Sequence, residues 1–379
     1  MRYFVLFTGA LLLLSPSCVL AFHVDSDDES STKHDMFRGD LDIEKHFIKT
    51  KLYIDKEVVI TDPLALQAIA KDTLAYINNH DKDHSHVINP TKFSSLLSLY
   101  AVRDTLRFIV ETIEEDKEAG NFRILDPDFL NQHFSCIAWR ADEEAAVAHG
   151  VKLPGNGQIR LTTYAVFSVK GSPVKTATHP CALYHVTNDA MARRFTKQQI
   201  LAGALDTPAM RQHRRVFAWV SRESLEEALM QGTVLVEMPD GTSKLLAVHL
   251  NNNINYNRRL ADRKDQARYW YFKALGKSGL PAAPRIRRIR GRAQVVFAGD
   301  LHNIGIGKVI VIRYENPQTG APEMKIGVLA DTGGAFKNNL YQLDFFGGLV
   351  KSHEALRDII RQVPIYVRAS ILYKIPVVA

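Results

Sequence analysis

The sequence predicts a mixed, β-rich fold whose helices gather towards the N-terminal side. Leu66, Ile69, Leu74 and Ile77, and then Leu99, Val102, Leu106, Ile109 and Ile113, recur at helical spacing and mark two apolar stripes. Ile326, Val328 and Ala330 alternate up to Asp331, as on a half-buried strand, and residues 308–312 and 364–373 read as further strands. Glycine-rich turns separate these strands, at Ile304-Gly305-Ile306-Gly307 and at Thr332-Gly333-Gly334. With 379 residues, 46% of them hydrophobic, the chain is long enough for two domains with real cores.

The elements follow in order. Met1-Arg2, an apolar core from Phe4 to Leu14, and Val19-Leu20-Ala21 read as a signal peptide over residues 1–21. The context before Cys18, Leu14-Ser15-Pro16-Ser17, favours cleavage after Ala21 over lipid attachment at Cys18, and the apolar run is too short to span a bilayer. Residues 22–60 form a polar leader, expected to be disordered around Asp25-Ser26-Asp27-Asp28-Glu29. Residues 61–154 supply the helices, with starts at Asp62-Pro63, Asn89-Pro90 and Asp126-Pro127. Between the first two lies His80-Asp81-Lys82-Asp83-His84-Ser85-His86. It lacks metal-ligand spacing and reads as a solvated loop.

From 155 to 275 short strands and helices mix, closing on Tyr269-Trp270-Tyr271-Phe272. That run suits a core strand better than a sugar-stacking platform. Pro281-Ala282-Ala283-Pro284 reads as a linker. Arg285, Arg287, Arg288, Arg290 and Arg292, interleaved with Ile286 and Ile289, read as a charge-guarded edge strand. The same arginines offer a contact to an anionic surface. Residues 285–379 hold the remaining strands.

Net charge is +7, which fits an acidic polymer, an anionic membrane or nucleic acid; an export signal argues against the last. Cleavage would leave Cys136 and Cys181, and the sequence leaves open whether they pair. No metal or cofactor motif stands out.

Asp331-Thr332-Gly333-Gly334-Ala335-Phe336-Lys337 and Asp344-Phe345-Phe346-Gly347-Gly348 place two carboxyl groups in a strand-loop-strand setting. Gly333 and Gly334 are expected to turn the chain where side chains would clash. Leu343, Phe345 and Phe346 are expected to surround Asp344 and raise its pKa by desolvation, as a general acid requires. Taken alone, Asp-Thr-Gly-Gly also describes an ordinary turn.

Together with Asp300-Leu301-His302-Asn303 and the turn at 304–307, these runs resemble the three-aspartate domain of the membrane-bound lytic murein transglycosylase A family. The resemblance continues upstream. Thr162, Tyr164, Gly171 and Ser172 match a strand motif, residues 195–205 a helix motif, and Met230-Gln231-Gly232-Thr233 with Asp240-Gly241 another segment. It spans roughly residues 120–379.

That resemblance implies a double-psi β-barrel carrying the catalytic aspartate, with a second, β-rich domain (155–275) across a cleft. It implies non-hydrolytic cleavage of the β-1,4 bond between N-acetylmuramic acid (MurNAc) and N-acetylglucosamine (GlcNAc) in peptidoglycan. The product is a 1,6-anhydro end, with one carboxyl acting as acid and then base. Asp344 takes the catalytic position and Asp331 supports it. Tyr164, Gln231, Gly333, Gly334 and Asp300 would line the substrate, with a structural role left open for the more distant Asp300. The expected partner is the glycan strand, met by a monomer in the periplasm or after secretion. Thirteen positions separate Asp331 from Asp344, more than in typical members, and Asn338-Asn339 stands where the family prefers glycine. An inactive peptidoglycan-binding relative stays open as the alternative.

Overall fold

The helical stripe that begins after Asp62 becomes the helix Pro63–His80, whose first turn is closed by the Asp62 side chain accepting from Ala65 N. In the computed structural model, residues 41–376 are described except Asp83, Arg258, 277–279, Gly334, Ala335 and Lys337. The expected signal peptide, Cys18, Gly334 and the leader up to residue 40 lie outside the described residues.

The strands are β1 Phe47–Lys51, β2 Val58–Val59, β3 Phe134–Trp139, β4 Ile159–Lys170, β5 Cys181–Val186, β6 Arg214–Val220, β7 Thr233–Glu237, β8 Thr242–Asn251, β9 Trp270–Ala274, β10 Leu280–Pro281, β11 Val296–Ala298, β12 Val309–Glu315, β13 Pro322–Asp331, β14 Gln342–Val350 and β15 Tyr366–Lys374. Six of them, in the order β15, β12, β13, β11, β14 and β4, are bonded side by side, and β4 pairs back onto β15. The ring is therefore closed, which removes its free edges. Most of its pairs are antiparallel, but β11 with β13 and β14 with β4 are parallel. Parallel neighbours cannot be joined by a tight hairpin, so the chain must leave the ring and return between β4 and β14.

β4 is long enough to serve two structures. It pairs with β14 in the ring as far as Phe167, while Phe167–Lys170 pair with β7, and β8 and β9 continue outward. Two apolar cores follow. One holds the ring strands and the helices Pro63–His80 and Leu99–Asp116. The other holds residues between Ala165 and Phe272, closed by Val350 and Leu356 from the far side of the chain. Tyr269, Tyr271 and Phe272 are fully buried there, as the core-strand reading expects.

Several expectations are corrected. The arginine cluster is a helix, Ala282–Arg290, and not an edge strand. Ile286 and Ile289 are three apart, which suits one face of a helix, and Pro284 sits in the first turn, where its missing N–H costs little. Arg288 and Arg292 reach Asp72 on the first long helix at 3.4 and 2.8 Å. The Pro281–Pro284 linker is likewise ordered, since Leu280 pairs with Ser243 before the helix begins. The second long helix starts at Leu99, capped by Ser98, and Pro90 precedes only a single turn, Thr91–Ser94. The helix expected over 195–205 is limited to Lys197–Leu201. From Ile43 onward the leader is structured: Ile43–Lys45 form a 3-10 turn, β1 pairs with β3, and Ile43, Phe47, Leu52 and Ile54 are buried, which offsets the polarity of their neighbours.

The turn at 304–307 needs its glycines. Gly305 and Gly307 have φ of +83° and +84°, and a Cβ on Gly307 would lie 2.8 Å from Ile77 Cδ1 and 3.1 Å from Val102 Cγ1. Both long helices therefore press directly on this turn. Gly307→Ala should lower unfolding free energy by about 1–3 kcal/mol in a urea titration. Gly320→Ala has the same backbone sign, but nothing lies within 4 Å of the added methyl, so it should lose less.

Candidate active site

β4 and β14 run parallel with Arg160 opposite Gln342, Thr162 opposite Asp344, and Tyr164 opposite Phe346. Side chains two apart share a face of a strand, so these six form one ladder. On the other side of β14, Ala298 of β11 is in register with Asp344 and also with Asp331 of β13. The two aspartates are thus two strands apart, roughly 9.5 Å between backbones. The Tyr164 hydroxyl spans that gap and donates to Asp331 Oδ2 at 2.8 Å.

Asp344 is held by its own ladder. Thr162 Oγ1 donates to Asp344 Oδ1, and Gln342 Nε2 donates to the same oxygen at 2.9 Å and to Thr162 Oγ1 at 3.0 Å. Burial pushes the Asp344 pKa up to about 6, against the Gln342 hydrogen bond and the positive charge of Arg160, which pull it down. Asp344 keeps a half-buried edge, whereas Asp331 is 3% exposed and Asp300 0%. Asp331 is pushed up to about 8, first by burial and further by the charge of Asp344, although Tyr164 and Thr332 N donate to it. At neutral pH Asp331 therefore largely holds its proton, while Asp344 is mostly ionised and passes its midpoint at about pH 6.

Asp300 lies beneath this site, not in it. Its side chain accepts from Asn303 N at 3.1 Å, Asn303 Nδ2 at 2.7 Å and Asn339 N at 3.0 Å. Burial raises its pKa to about 6. With no exposed surface and both oxygens engaged, it cannot touch a substrate, which corrects that expectation. Its work is to pin the loop that leads into β14. Trp139 Nε1 holds the next residue, donating to Leu340 O at 2.9 Å, and Arg160 N holds the one after, donating to Tyr341 O at 2.8 Å. Three consecutive residues are fixed by three separate parts of the chain just before Asp344.

Gln231 is also drawn into the scaffold: its Oε1 accepts from Ala165 N at 3.1 Å, at the point where β4 passes the helix Arg222–Gln231. Gly333 is exposed, and an added Cβ would meet only Phe336, at 3.9 Å, so the expected clash is absent there. Leu343 and Phe345 do not surround Asp344. They alternate to the other face, where Phe345 meets Phe297 at 5.6 Å between ring centres. Phe346 does share the face and meets Tyr164 at 5.2 Å. Desolvation of Asp344 thus comes from the closed ring more than from its neighbours in sequence. The residues missed as site members are Arg160, Thr162 and Gln342. Their signal was the period of two: Arg160-Thr162-Tyr164 and Gln342-Asp344 each fall on one face of a strand.

Cys136 and Cys181 are both buried free thiols. Among the described residues no cluster of His, Cys, Asp or Glu could hold a metal ion, and no helix is long and apolar enough to cross a membrane.

This architecture occurs in solved structures. E. coli MltA with bound chitohexaose is 15% identical with a TM-score of 0.55, the match covering 91% of this chain and 98% of that one. The membrane-bound lytic murein transglycosylase from Agrobacterium tumefaciens is 15% identical at a TM-score of 0.52, covering 83% and 93%. MltA from Neisseria gonorrhoeae is 14% identical at 0.50, covering 83% and 88%. No protein-family model matches the chain, and no curated protein matches it. The chain has the MltA-like lytic transglycosylase fold.

The Asp331 pKa carries a stability consequence. A carboxyl raised from 3.8 to about 8 makes the folded state bind the extra proton between those values, so its contribution is complete below 3.8 and is lost as pH rises to 8. Asp331→Asn removes that loss. Thermal melts should show the variant gaining on the parent between pH 5 and pH 8.5; a gap that does not change with pH would contradict the assignment.

Proposed function

We propose that this protein is a peptidoglycan lytic transglycosylase in which Asp344 is the acid and then the base. The observation that carries the reading is the contrast among three raised carboxyls. Asp300 and Asp331 are sealed from solvent, while Asp344 keeps an accessible edge and titrates at about 6. A group that must give and retrieve a proton works best near the ambient pH. The fold shared with MltA supports the substrate class.

In the proposed reaction the Asp344 carboxyl proton passes to the glycosidic oxygen as the bond to the MurNAc anomeric carbon breaks, and the GlcNAc side departs as an alcohol. The Asp344 carboxylate then takes the proton of the MurNAc C6 hydroxyl, whose oxygen bonds to the anomeric carbon. No water is consumed, the 1,6-anhydro ring closes, and Asp344 ends protonated as it began. Asp331, neutral and held by Tyr164, adds no second negative charge next to the ion pair that develops between the anomeric carbon and the Asp344 carboxylate. Thr162 and Gln342 aim the Asp344 carboxyl from one side and leave its other oxygen for the sugar. The same reading takes the six-stranded ring as a double-psi β-barrel and residues 155–275 as the second domain across the cleft. It places the protein, after removal of residues 1–21, in the periplasm or outside the cell as a monomer on glycan strands.

Digestion of purified peptidoglycan tests this. Muropeptides one water lighter than hydrolysis products should accumulate with time. Asp344→Asn should slow them by a factor on the order of 10²–10⁴ while melting cooperatively like the parent. Binding to peptidoglycan with no anhydro product would establish the inactive alternative and overturn the catalytic one.

A pH profile gives a second check. Because the protonated form of Asp344 starts the reaction, kcat/KM should fall as pH rises through about 6. A rate that climbs across that window would exclude Asp344 as the acid.

A further inference from the structure

We propose that Arg160 is a carboxylate-recognising residue that makes the site prefer anionic glycan strands over neutral ones. The inference rests on the functional reading above and adds a substrate feature to it. Arg160 begins the ladder that carries Thr162 and Tyr164, and its register partner is Gln342, which holds Asp344. Two residues along a strand is about 6.6 Å, a distance on the scale of one sugar residue. The guanidinium is near enough for its charge to act on Asp344. Among the described residues, no hydrogen bond or ion pair engages it, and the bonds that Arg160 makes are those of its backbone, as from its N–H to Tyr341 O.

That is an unusual state for a half-buried arginine. Other arginines of this chain at comparable burial are tied down: Arg292 by Asp72 at 2.8 Å, Arg214 by Asp206 at 2.9 Å, Arg313 by Glu57 at 3.3 Å. A planar fork of donors with no hydrogen-bonded partner, two residues along the ladder from a candidate catalytic acid, matches a carboxylate of the ligand. The charges nearby lean positive without being uniform, since Glu143 stands among them. Tyr366, the other register partner of Arg160, donates its hydroxyl to the carbonyl of exposed Lys152 at 2.8 Å. Three residues upstream, Gly157 and Asn156 help line a cavity of about 440 Å³ whose charged walls are Lys45, Arg140 and Glu143, with His46 beside them.

Peptidoglycan offers this chemistry in two places. Stripped of its peptides, the strand bears the lactyl carboxylate of each MurNAc; intact, it bears the carboxylates of the peptide stem. A chain of GlcNAc alone has neither. Binding separates these cases and needs no turnover, so it stands even if no anhydro product ever forms.

Affinity would be measured by calorimetry for chitohexaose, for a peptide-free MurNAc-GlcNAc hexasaccharide, and for the same hexasaccharide bearing stems. Asp344→Asn would be compared with Asp344→Asn/Arg160→Gln and Asp344→Asn/Arg160→Lys, each checked for a cooperative melt. The expected result is tighter binding of at least one anionic ligand than of chitohexaose, with Arg160→Gln shrinking that ratio on the order of tenfold and Arg160→Lys retaining part of it. The anionic ligand that shows the preference names the source of the carboxylate. Equal affinity for all three ligands, or a preference that survives Arg160→Gln, would overturn the proposal.

Discussion

The parallel pairing of β4 with β14 is the contact on which the site depends. It sets Thr162 beside Asp344 across 182 positions of chain, and in doing so decides which side chains share a face. A slip of one residue would turn Asp344 away and put Leu343 or Phe345 in its place. Closing the loop between such distant strands has an entropic cost, and more than this pairing contributes to offsetting it. The offset comes from the ring that the pairing completes and from the three bonds that fix residues 339, 340 and 341 ahead of β14.

Within that frame the carboxyl groups are graded by how far water and donors reach them. All three are desolvated, which favours the protonated form. Asp300 is opposed by a full set of N–H donors and serves as a clamp. Asp331 is opposed by one hydroxyl and one amide, and the neighbouring Asp344 charge pushes it further up. Asp344 is opposed by Gln342 and by Arg160, and it alone keeps an edge to solvent. Similar chemical groups therefore take different roles because the ring encloses each to a different degree.

The long β4 also explains how the two cores are coupled. Ile159, Leu161 and Val166 belong to the first core, and Ala165, Phe167 and Val169 to the second. Gln231 bonds Ala165 at that junction, and Val350 and Leu356 return from the end of β14 and the helix after it to close the second core. The face that carries Thr162, Tyr164 and Asp344 is thus built where the two apolar cores meet, with β4 as the shared wall.

The sequence by itself determined the local elements that have a strong period and a cap: the helix after Asp62, the strands ending at Asp331 and beginning near Asp344, and the closing strand from Tyr366. It also singled out Asp331 and Asp344, because polar residues interrupting apolar alternation beside glycines are visible in one dimension, whereas Tyr164 came only from the resemblance to a family strand motif. It misread Ala282–Arg290, where two isoleucines three apart satisfy a loose strand pattern and a helix alike, and it placed a helix start at Asn89-Pro90 that Ser98 supplies instead. Only the tertiary structure decided the roles. Asp300 became a clamp because Asn303 and Asn339 converge on it; Gln231 became a brace because β4 passes beside it. Arg160, Thr162 and Gln342 became site residues because two strands far apart in sequence align in register. Strand register and ring closure are properties of contacts between distant segments, and no local pattern encodes which distant segment will arrive.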